Sequence, residues 1–233
     1  MSISKHKKTI YCDVDGVVAA WTETVRSMFG FPQLAWDAKV PYDAELSMPG
    51  VTEQMLWDRV NEAGVPFWSA LPLYPWSLDL YTKLQEIAPV VFLTSPCRKG
   101  HSHHRKYLWL QAFTSDERFR HYIITSEKHL LARDNAVLVD DAPVKIKAFT
   151  NHGGKGVLFP RPWNDGPVIA EVTTIDAKRI QGHRMAPRNA KANAAKVNAV
   201  QRVTSLPIDY RHSNVSRVRK VTWVERMIRP VRT

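Results

Sequence analysis

Short apolar segments alternate with amphipathic ones along most of the chain. The apolar segments lie at 8–13, 89–96, 121–126, 136–143 and 155–160. Apolar positions three and four residues apart, typical of amphipathic helices, occur at 17–29, 77–88, 104–113 and 142–154. Short apolar runs between such helices are typical of buried strands. The pattern therefore predicts βαβ units, and with them an α/β fold with a parallel sheet and helices on both faces.

Two parts of the chain depart from this alternation. Residues 31–76 are rich in Trp and Pro and contain one short helical run, MLWDRVNEAG at 55–64. This composition favours a small helical cap inserted after the first strand. Beyond residue 175 no apolar stripe is wide enough to face a core. We therefore predict one domain at 1–176, with a cap at about 31–76, and a separate C-terminal extension at 177–233.

The net charge of +11 comes from the C-terminal extension. Residues 178–233 hold fourteen of the 33 Lys and Arg but two of the 22 Asp and Glu, so the rest of the chain is nearly neutral. A dense basic segment attracts polyanions, which makes nucleic acid a candidate partner. The alternatives are a solvated tail, a tail that folds onto the domain through VTWVERMI at 221–228, or a segment that holds a homodimer together.

Several observations bear on the compartment. No run of eighteen apolar residues is present, which argues against a membrane span. The start, MSISKHKKTIYCDVDG, has no apolar stretch of signal-peptide length. Cys12 and Cys97 give no disulfide framework. We therefore expect a cytoplasmic protein (in the host cytoplasm, if a phage encodes it) with no membrane partner.

Carboxylates follow two of the predicted strands. Asp13 and Asp15 stand in DVDG after the first strand, and Asp140 and Asp141 end the segment AVLVDD. Ligands of open parallel sheets bind beyond the carboxyl ends of the strands, so these side chains are expected to share one crevice. Like charges there need a cation, and oxygen ligands suit Mg²⁺. Alone, DVDG also suits a turn or a calcium loop, and Asp141 also suits a helix N-cap.

Groups suited to phosphate follow the other strands. Thr94 and Ser95 end the segment VVFLTSP, where hydroxyl and backbone N–H groups can hold phosphate oxygens. Lys128 can neutralise a phosphate. Beside them, one carboxylate of DVDG can attack phosphorus while the other protonates the leaving oxygen. Each feature alone is also common as a strand exit or a solvated lysine.

The order of these motifs resembles the haloacid dehalogenase-like (HAD) superfamily of aspartate-nucleophile phosphatases over residues 8–166. Within it, CDVDGVVA, FWSALPLYPW, FLTSP, RKYLWLQAF, VLVDDAP and GGKGVLFPRPWN resemble the 5'(3')-deoxyribonucleotidases. The resemblance implies a HAD-like Rossmannoid sheet with a cap. It also implies Mg²⁺-dependent hydrolysis of nucleoside monophosphates, deoxyribonucleotides foremost, through a phospho-aspartate.

The resemblance assigns roles to single residues. It implies that Asp13 forms the phospho-aspartate and that Asp15 is the general acid and base. It places Asp13, the backbone carbonyl of Asp15 and Asp140 around the metal, with Asp141 as a direct or water-mediated ligand. The residues that it implies for binding the phosphoryl group are Thr94, Ser95 and Lys128.

Three more residues are candidate substrate contacts. Lys106 stands ahead of Trp109, which matches a lysine ahead of the family's tryptophan. In this chain Lys106 either touches phosphate or is a solvated helix lysine. Phe67 and Trp68 either stack on a base or form a small core of the cap. His101, His103 and His104 have no Cys or carboxylate at ligand spacing, so we interpret them as a loop and not as a metal site.

Two other functions stay open. The same chemistry can act on a phosphorylated end of DNA or RNA, guided by the basic extension. The chain can also be a nucleic-acid-binding protein that retains a HAD scaffold. The intact set of acidic, hydroxyl and lysine residues at the strand ends counts against that last interpretation.

Overall fold

A five-stranded parallel sheet forms the centre of the computed structural model, which describes residues 8–35, 37–97 and 101–166. The strands lie side by side in the order β3-β2-β1-β4-β5, and each neighbouring pair is parallel. Their bounds are β1 (Thr9–Cys12), β2 (Val90–Thr94), β3 (Tyr122–Ile124), β4 (Ala136–Asp140) and β5 (Lys155–Leu158). The predicted parallel α/β sheet is confirmed.

Helices cover both faces of this sheet, as the sequence predicts. They are α1 (Trp21–Met28), α2 (Glu53–Ser69), α3 (Ser77–Ile87), α4 (His101–Thr114) and α5 (Pro143–Asn151), with 3₁₀ turns at Ala44–Ser47 and Lys128–Leu131. Leu84 of α3 and Phe113 of α4 belong to the core that contains Ile10 of β1. Phe149 of α5 packs with the next strand residue, Tyr11, on the opposite face. Alternate residues of one strand thus face two separate cores.

The first helix begins later than the sequence predicts. Residues 17–20 form a turn, in which the Ala19 N–H donates to the Val14 carbonyl at 2.8 Å and the Gly16 N–H donates to the Ala19 carbonyl at 2.9 Å. Gly16 has a φ of +78°, which favours glycine. Val17, Val18 and Ala19 are all fully buried. Their apolar side chains fill the core from a turn, so helical spacing alone misplaced the start of α1.

Helix α2 is longer than the run predicted at 55–64. It continues to Ser69 across a change of direction at Gly64, whose φ is 57° and ψ −131°. Leu56 and Val60 are buried, and the helix packs against α1 and α4. These residues lie between β1 and β2, where the sequence places a cap. The bounds of a separate cap at 31–76 stay a prediction.

The C-terminal extension at 177–233 and the boundary near residue 176 lie outside the described residues. A role for that extension in binding nucleic acid, or in a homodimer, therefore stays a prediction. Among the described residues, none of the helices has the length and apolar character needed to cross a membrane.

Candidate active site

Three buried carboxylates meet at the carboxyl ends of β1 and β4. Asp13 follows β1, Asp140 ends β4, and Asp141 comes next. Each offers an oxygen within 4.8 Å of the others, and all three side chains are buried. The two strands are parallel neighbours with Cys12 opposite Val139, so the residues that follow them must lie together. The structure therefore places Asp13 and Asp140 in one crevice, as the strand pattern predicts.

The ammonium group of Lys128 contacts two of these carboxylates. Its Nζ lies 2.8 Å from Asp13 Oδ1 and 2.6 Å from Asp140 Oδ2. The side chain is 1% exposed. Burial lowers the pKa of Lys128, but the charges of Asp13 and Asp140 outweigh it and leave the pKa above its usual value. Lys128 therefore stays protonated and holds the two strand ends together.

The three carboxyl groups differ in their acidity. Burial and the charges of Asp140 and Asp13 raise the pKa of Asp141 to about 8. Burial and Asp13 likewise raise the pKa of Asp140, against the effect of Lys128. Burial acts in the same direction on Asp13, but the ammonium groups of Lys128 and Lys145 outweigh it and lower the pKa of Asp13. Asp13 is thus the carboxyl group of the three that stays ionised most readily, as a nucleophile must.

The donor set fits one divalent cation. When all three are ionised, the carboxylates outnumber the one ammonium group that contacts them, that of Lys128. Uncompensated buried charge is costly, and a divalent ion would neutralise it. Carboxylate oxygens are the ligands that Mg²⁺ and Ca²⁺ prefer. Asp13, Asp140 and Asp141 are therefore the side chains that can hold such an ion.

Asp141 is fixed between an indole and a glycine. Trp163 Nε1 donates to Asp141 Oδ2 at 2.7 Å. A Cβ at Gly16 would lie 2.1 Å from the same oxygen, so no other residue fits there without displacing the carboxylate. The alternative role of Asp141 as a helix N-cap is wrong. Helix α5 has Ala142 at its N-cap, with no side-chain cap, because the Asp141 carboxylate faces Trp163 instead.

Trp163 is itself held by a buried ion pair. The Arg161 guanidinium lies 4.3 Å from the centre of the Trp163 ring and 4.1 Å from that of Tyr74. Arg161 pairs with Glu23 of α1, and the Tyr74 hydroxyl donates to Glu23 as well. Arg161 and Glu23 are 5% and 8% exposed. This group links α1 to the residue that contacts Asp141, and sequence reasoning did not find it.

Lys106 lies at the other side of the site and pairs with Asp15. Its Nζ donates to Asp15 Oδ2, to Thr94 Oγ1 at 2.7 Å and to the Ser95 carbonyl at 2.8 Å. With 2% of its surface exposed, Lys106 is not the solvated helix lysine of the alternative interpretation. Asp15 Oδ1 is buried and has no hydrogen-bond partner among the described residues. The Asp15 side chain therefore faces Lys106, and a metal contact through its backbone carbonyl stays a prediction.

A second lysine, which sequence reasoning missed, lies close to the turn after β2. Lys145 stands in the first turn of α5, and its Nζ donates to Ser95 Oγ at 2.9 Å. The only signal in the sequence is its spacing, four residues after Asp141 in a helix that starts at the sheet edge. Because α5 begins directly after the carboxyl end of β4, a residue in its first turn can reach Ser95.

A cavity of about 300 Å³ lies over these groups. Its inner wall is formed by carboxylates, a hydroxyl and two ammonium groups, from Asp13, Asp15, Asp141, Ser95, Lys106 and Lys145. Thr94, Lys128 and Asp140 are not part of the wall, although all three are buried next to residues that are. The predicted site residues thus form two layers, one that faces the cavity and one that supports it.

The outer wall of the cavity is aromatic and acidic. Trp21 and Trp57, which are half-buried with ring centres 5.9 Å apart, line it, and so does Trp68. The Lys106 ammonium lies 5.2 Å from the Trp68 ring centre. Phe67 is buried, packs edge-on against Trp68 at 5.0 Å and is not part of the wall. This favours the small-core alternative for Phe67.

No protein-family model and no curated protein sequence matches this chain. Solved structures with a similar arrangement include a HAD family hydrolase from Deinococcus radiodurans R1 with bound phosphate and sodium, at 14% identity and a TM-score of 0.42, over 86% of this chain and 99% of that one. A HAD-like hydrolase from Xanthomonas campestris matches at 12% identity and a TM-score of 0.44, over 83% and 97%. A HAD-superfamily hydrolase from Geobacter sulfurreducens matches at 15% and 0.43, over 70% and 89%. At these identities and TM-scores the likeness says nothing of substrate or activity.

Proposed function

We propose that this protein is a Mg²⁺-dependent phosphomonoesterase of the HAD type that hydrolyses nucleoside monophosphates, with Asp13 as its nucleophile. One observation carries the proposal. An aspartate with a lowered pKa faces a cavity whose inner wall also holds two ammonium groups, next to a set of carboxylates that fits a divalent ion. Phosphoryl transfer needs positioning and charge neutralisation above all, and this wall offers both.

The two oxygens of Asp13 have different surroundings. Oδ1 accepts from Lys128 Nζ and from the Val14 N–H, each at 2.8 Å. Oδ2 has no partner among the described residues and is the oxygen that attacks phosphorus. Its bond to phosphorus forms as the bond to the leaving oxygen breaks. A bound Mg²⁺ ion, held by Asp13, Asp140 and Asp141, would neutralise charge on the phosphoryl oxygens.

We assign the proton transfer to Asp15. Lys106 holds its Oδ2, so the proton is transferred through Oδ1, which has no hydrogen-bond partner among the described residues. Asp15 gives that proton to the leaving alkoxide. It then accepts one from the water that attacks the phospho-aspartate, which releases phosphate and restores Asp13. Ionisable groups of this kind must lie within hydrogen-bond reach of the reacting oxygen, and Asp15 lines the same cavity as Asp13.

The outer wall supports a nucleoside as the leaving group. Trp21 and Trp57 present half-buried rings, and base–aromatic stacking contributes about 1–3 kcal/mol per base. We therefore assign base contact to these two residues in place of Phe67. Of the remaining candidates, Trp68 lines the cavity with the Lys106 ammonium 5.2 Å from its ring centre, and it stays a candidate substrate contact.

Acidic residues disfavour longer substrates. Asp43, Glu45 and Glu53 line the cavity, and Asp43 and Glu53 are exposed. Their charge repels the further phosphates of DNA or RNA. Nothing in the described residues favours the alternative of a phosphatase for nucleic-acid ends, or that of a nucleic-acid-binding protein on a HAD scaffold. The single phosphate of a nucleoside monophosphate would lie at the inner wall, so these acids would not repel a second phosphate.

The test is phosphate release from dUMP, dTMP and a 3'-phosphorylated oligonucleotide, with Mg²⁺ or with EDTA. We expect turnover of the mononucleotides that needs Mg²⁺. Asp13→Asn should lower kcat by about a thousandfold or more, because the nucleophile is lost. Asp134→Asn, an exposed turn residue, is the matched control and should leave kcat unchanged. Full activity of Asp13→Asn would refute the mechanism, and turnover of the oligonucleotide alone would refute the substrate class.

A further inference from the structure

Three lysines surround Asp13, and they differ in what they face. Lys106 and Lys145 line the cavity, whereas Lys128 does not. Lys128 is 1% exposed, and its ammonium group is committed to Asp13 and Asp140 at 2.8 and 2.6 Å. An ammonium group has three N–H donors, and two of them are engaged here by buried carboxylates. Lys128 is therefore a support for the nucleophile and does not reach the space that a substrate would fill.

Lys145 has the opposite character. Among the described residues its one hydrogen-bond partner is a neutral hydroxyl, Ser95 Oγ at 2.9 Å, and none of the ion pairs formed there includes Lys145. The side chain is half-buried and lines the cavity that Asp13 faces. A partly buried ammonium group with a neutral partner has donors left for an anion.

Lys145 and Lys106 approach the cavity from opposite sides of the sheet. Lys106 belongs to α4, whose Phe113 packs into the core on one face. Lys145 belongs to α5, whose Phe149 packs into the core on the other face. Both contact Ser95, one through its backbone carbonyl and the other through its hydroxyl. An anion placed between Asp13 and Ser95 would therefore have one ammonium group on each side.

We propose that Lys145 binds the transferred phosphoryl group, while Lys128 positions Asp13 and Asp140. Lys106 holds Asp15 and adds positive charge to the same wall, since its three N–H donors are already engaged by Asp15, Thr94 and Ser95. This inference rests on the proposed function and changes which lysine performs the binding. In the transition state the charge is spread over the three equatorial oxygens, and a donor that is aligned with them there stabilises it more than the ground state. Lys145 therefore acts on kcat as well as on substrate affinity.

The test compares Lys145→Met with Lys147→Met in the full-length chain. Lys147 is an exposed lysine on the same helix, so it controls for the loss of one positive charge from α5. We expect Lys145→Met to lower kcat/KM for dUMP by about 10- to 100-fold, as for a lost charge-assisted hydrogen bond. Weaker binding of inorganic phosphate, measured by its competitive inhibition constant, should accompany it. Lys147→Met should change both values less than twofold, and Lys145→Arg should restore part of the loss.

A purely structural role for Lys145 gives different results. If Lys145 acts only by holding Ser95, Ser95→Ala will lower kcat/KM as much as Lys145→Met, and the double variant will be no worse. That outcome overturns the proposal, as does a Lys145→Met enzyme that matches Lys147→Met in both measurements. An unchanged melting temperature is expected in Lys145→Met, because the side chain is half-buried and makes one hydrogen bond among the described residues.

The role of Lys145 can be tested even if the protein has no phosphatase activity. If the wild-type protein releases phosphate from no ester, the function is wrong, and the role of Lys145 is then decided by calorimetric titration with orthovanadate in the presence of Mg²⁺. Weaker vanadate binding by Lys145→Met than by Lys147→Met supports an oxyanion site at Lys145. Equal binding, or no binding by the wild-type protein, contradicts it.

Discussion

At the scale of the residue, the surroundings of Asp141 connect metal binding with pH. Burial, Asp140 and Asp13 raise the pKa of Asp141 to about 8, and the hydrogen bond from Trp163 opposes them. Below that pH the carboxyl group carries a proton, which a metal ion must displace. Above it the carboxylate is already ionised. Metal affinity should therefore rise with pH up to about 8 and then level off.

We expect Mg²⁺ affinity, measured by calorimetric titration from pH 6 to pH 9, to increase by up to about tenfold per pH unit below the plateau. Asp141→Asn, which has no proton to lose, should bind more weakly and with a flatter dependence on pH. In Trp163→Phe, the plateau should move to higher pH, because the hydrogen bond that lowers the pKa of Asp141 is gone. An affinity that does not vary with pH in the wild-type protein would show that Asp141 does not hold the ion.

At the scale of the elements, the Glu23–Arg161 pair joins α1 to the segment after β5. Removing one partner of a buried ion pair leaves the other charge uncompensated, which costs about 3–5 kcal/mol. An exposed pair contributes about 0–1 kcal/mol. The chain offers both cases, since Lys83 and Glu86 form an exposed pair on α3.

Glu23→Gln should therefore lower the free energy of unfolding by about 3 kcal/mol or more, whereas Glu86→Gln should lower it by less than about 1 kcal/mol. Denaturant unfolding of the two variants measures the difference. Glu23→Gln should also weaken Mg²⁺ binding, because Arg161 lies against Trp163, which holds Asp141. Equal stability of the two variants would mean that the Glu23–Arg161 pair does not brace the site.

At the scale of the whole molecule, negative charge lies around the cavity and positive charge lies in the C-terminal extension. The exposed acids Asp43 and Glu53 line the cavity, whereas residues 178–233 are strongly basic. Acidic groups beside a site act by repelling anions rather than by contact. If the proposed function is right, we expect Asp43 and Glu53 to favour substrates with a single phosphate.

Neutralising these two acids should relax this selection. We expect Asp43→Asn/Glu53→Gln to raise the ratio of oligonucleotide to dUMP turnover several-fold, most clearly at low salt, where charges are least screened. The double variant Glu117→Gln/Asp134→Asn removes two exposed acids that are not part of the cavity wall and is the control. A ratio that changes equally in both variants would indicate a general effect of net charge.

The sequence alone predicted the parts of this molecule that depend on local order. A strand in a parallel sheet ends at a known edge, so Asp13 and Asp140 could be placed together from the apolar pattern and the βα alternation. The contacts of Lys145, Trp163 and Arg161 could not be predicted in this way. They depend on how a helix or loop packs over the sheet, and Glu23 meets Arg161 across 138 positions of sequence. The late start of α1 has a similar cause, since core packing and a glycine turn outweigh helical spacing.

The ammonium group of Lys128 has a consequence for the order of assembly. Because it already balances part of the charge of Asp13 and Asp140, β1 and β4 can come together during folding before any ion arrives. A metal ion would then bind to a site that is already folded, and its dissociation would not unfold the chain. We therefore expect EDTA to abolish the proposed phosphatase activity reversibly, and added Mg²⁺ to restore it without a refolding step.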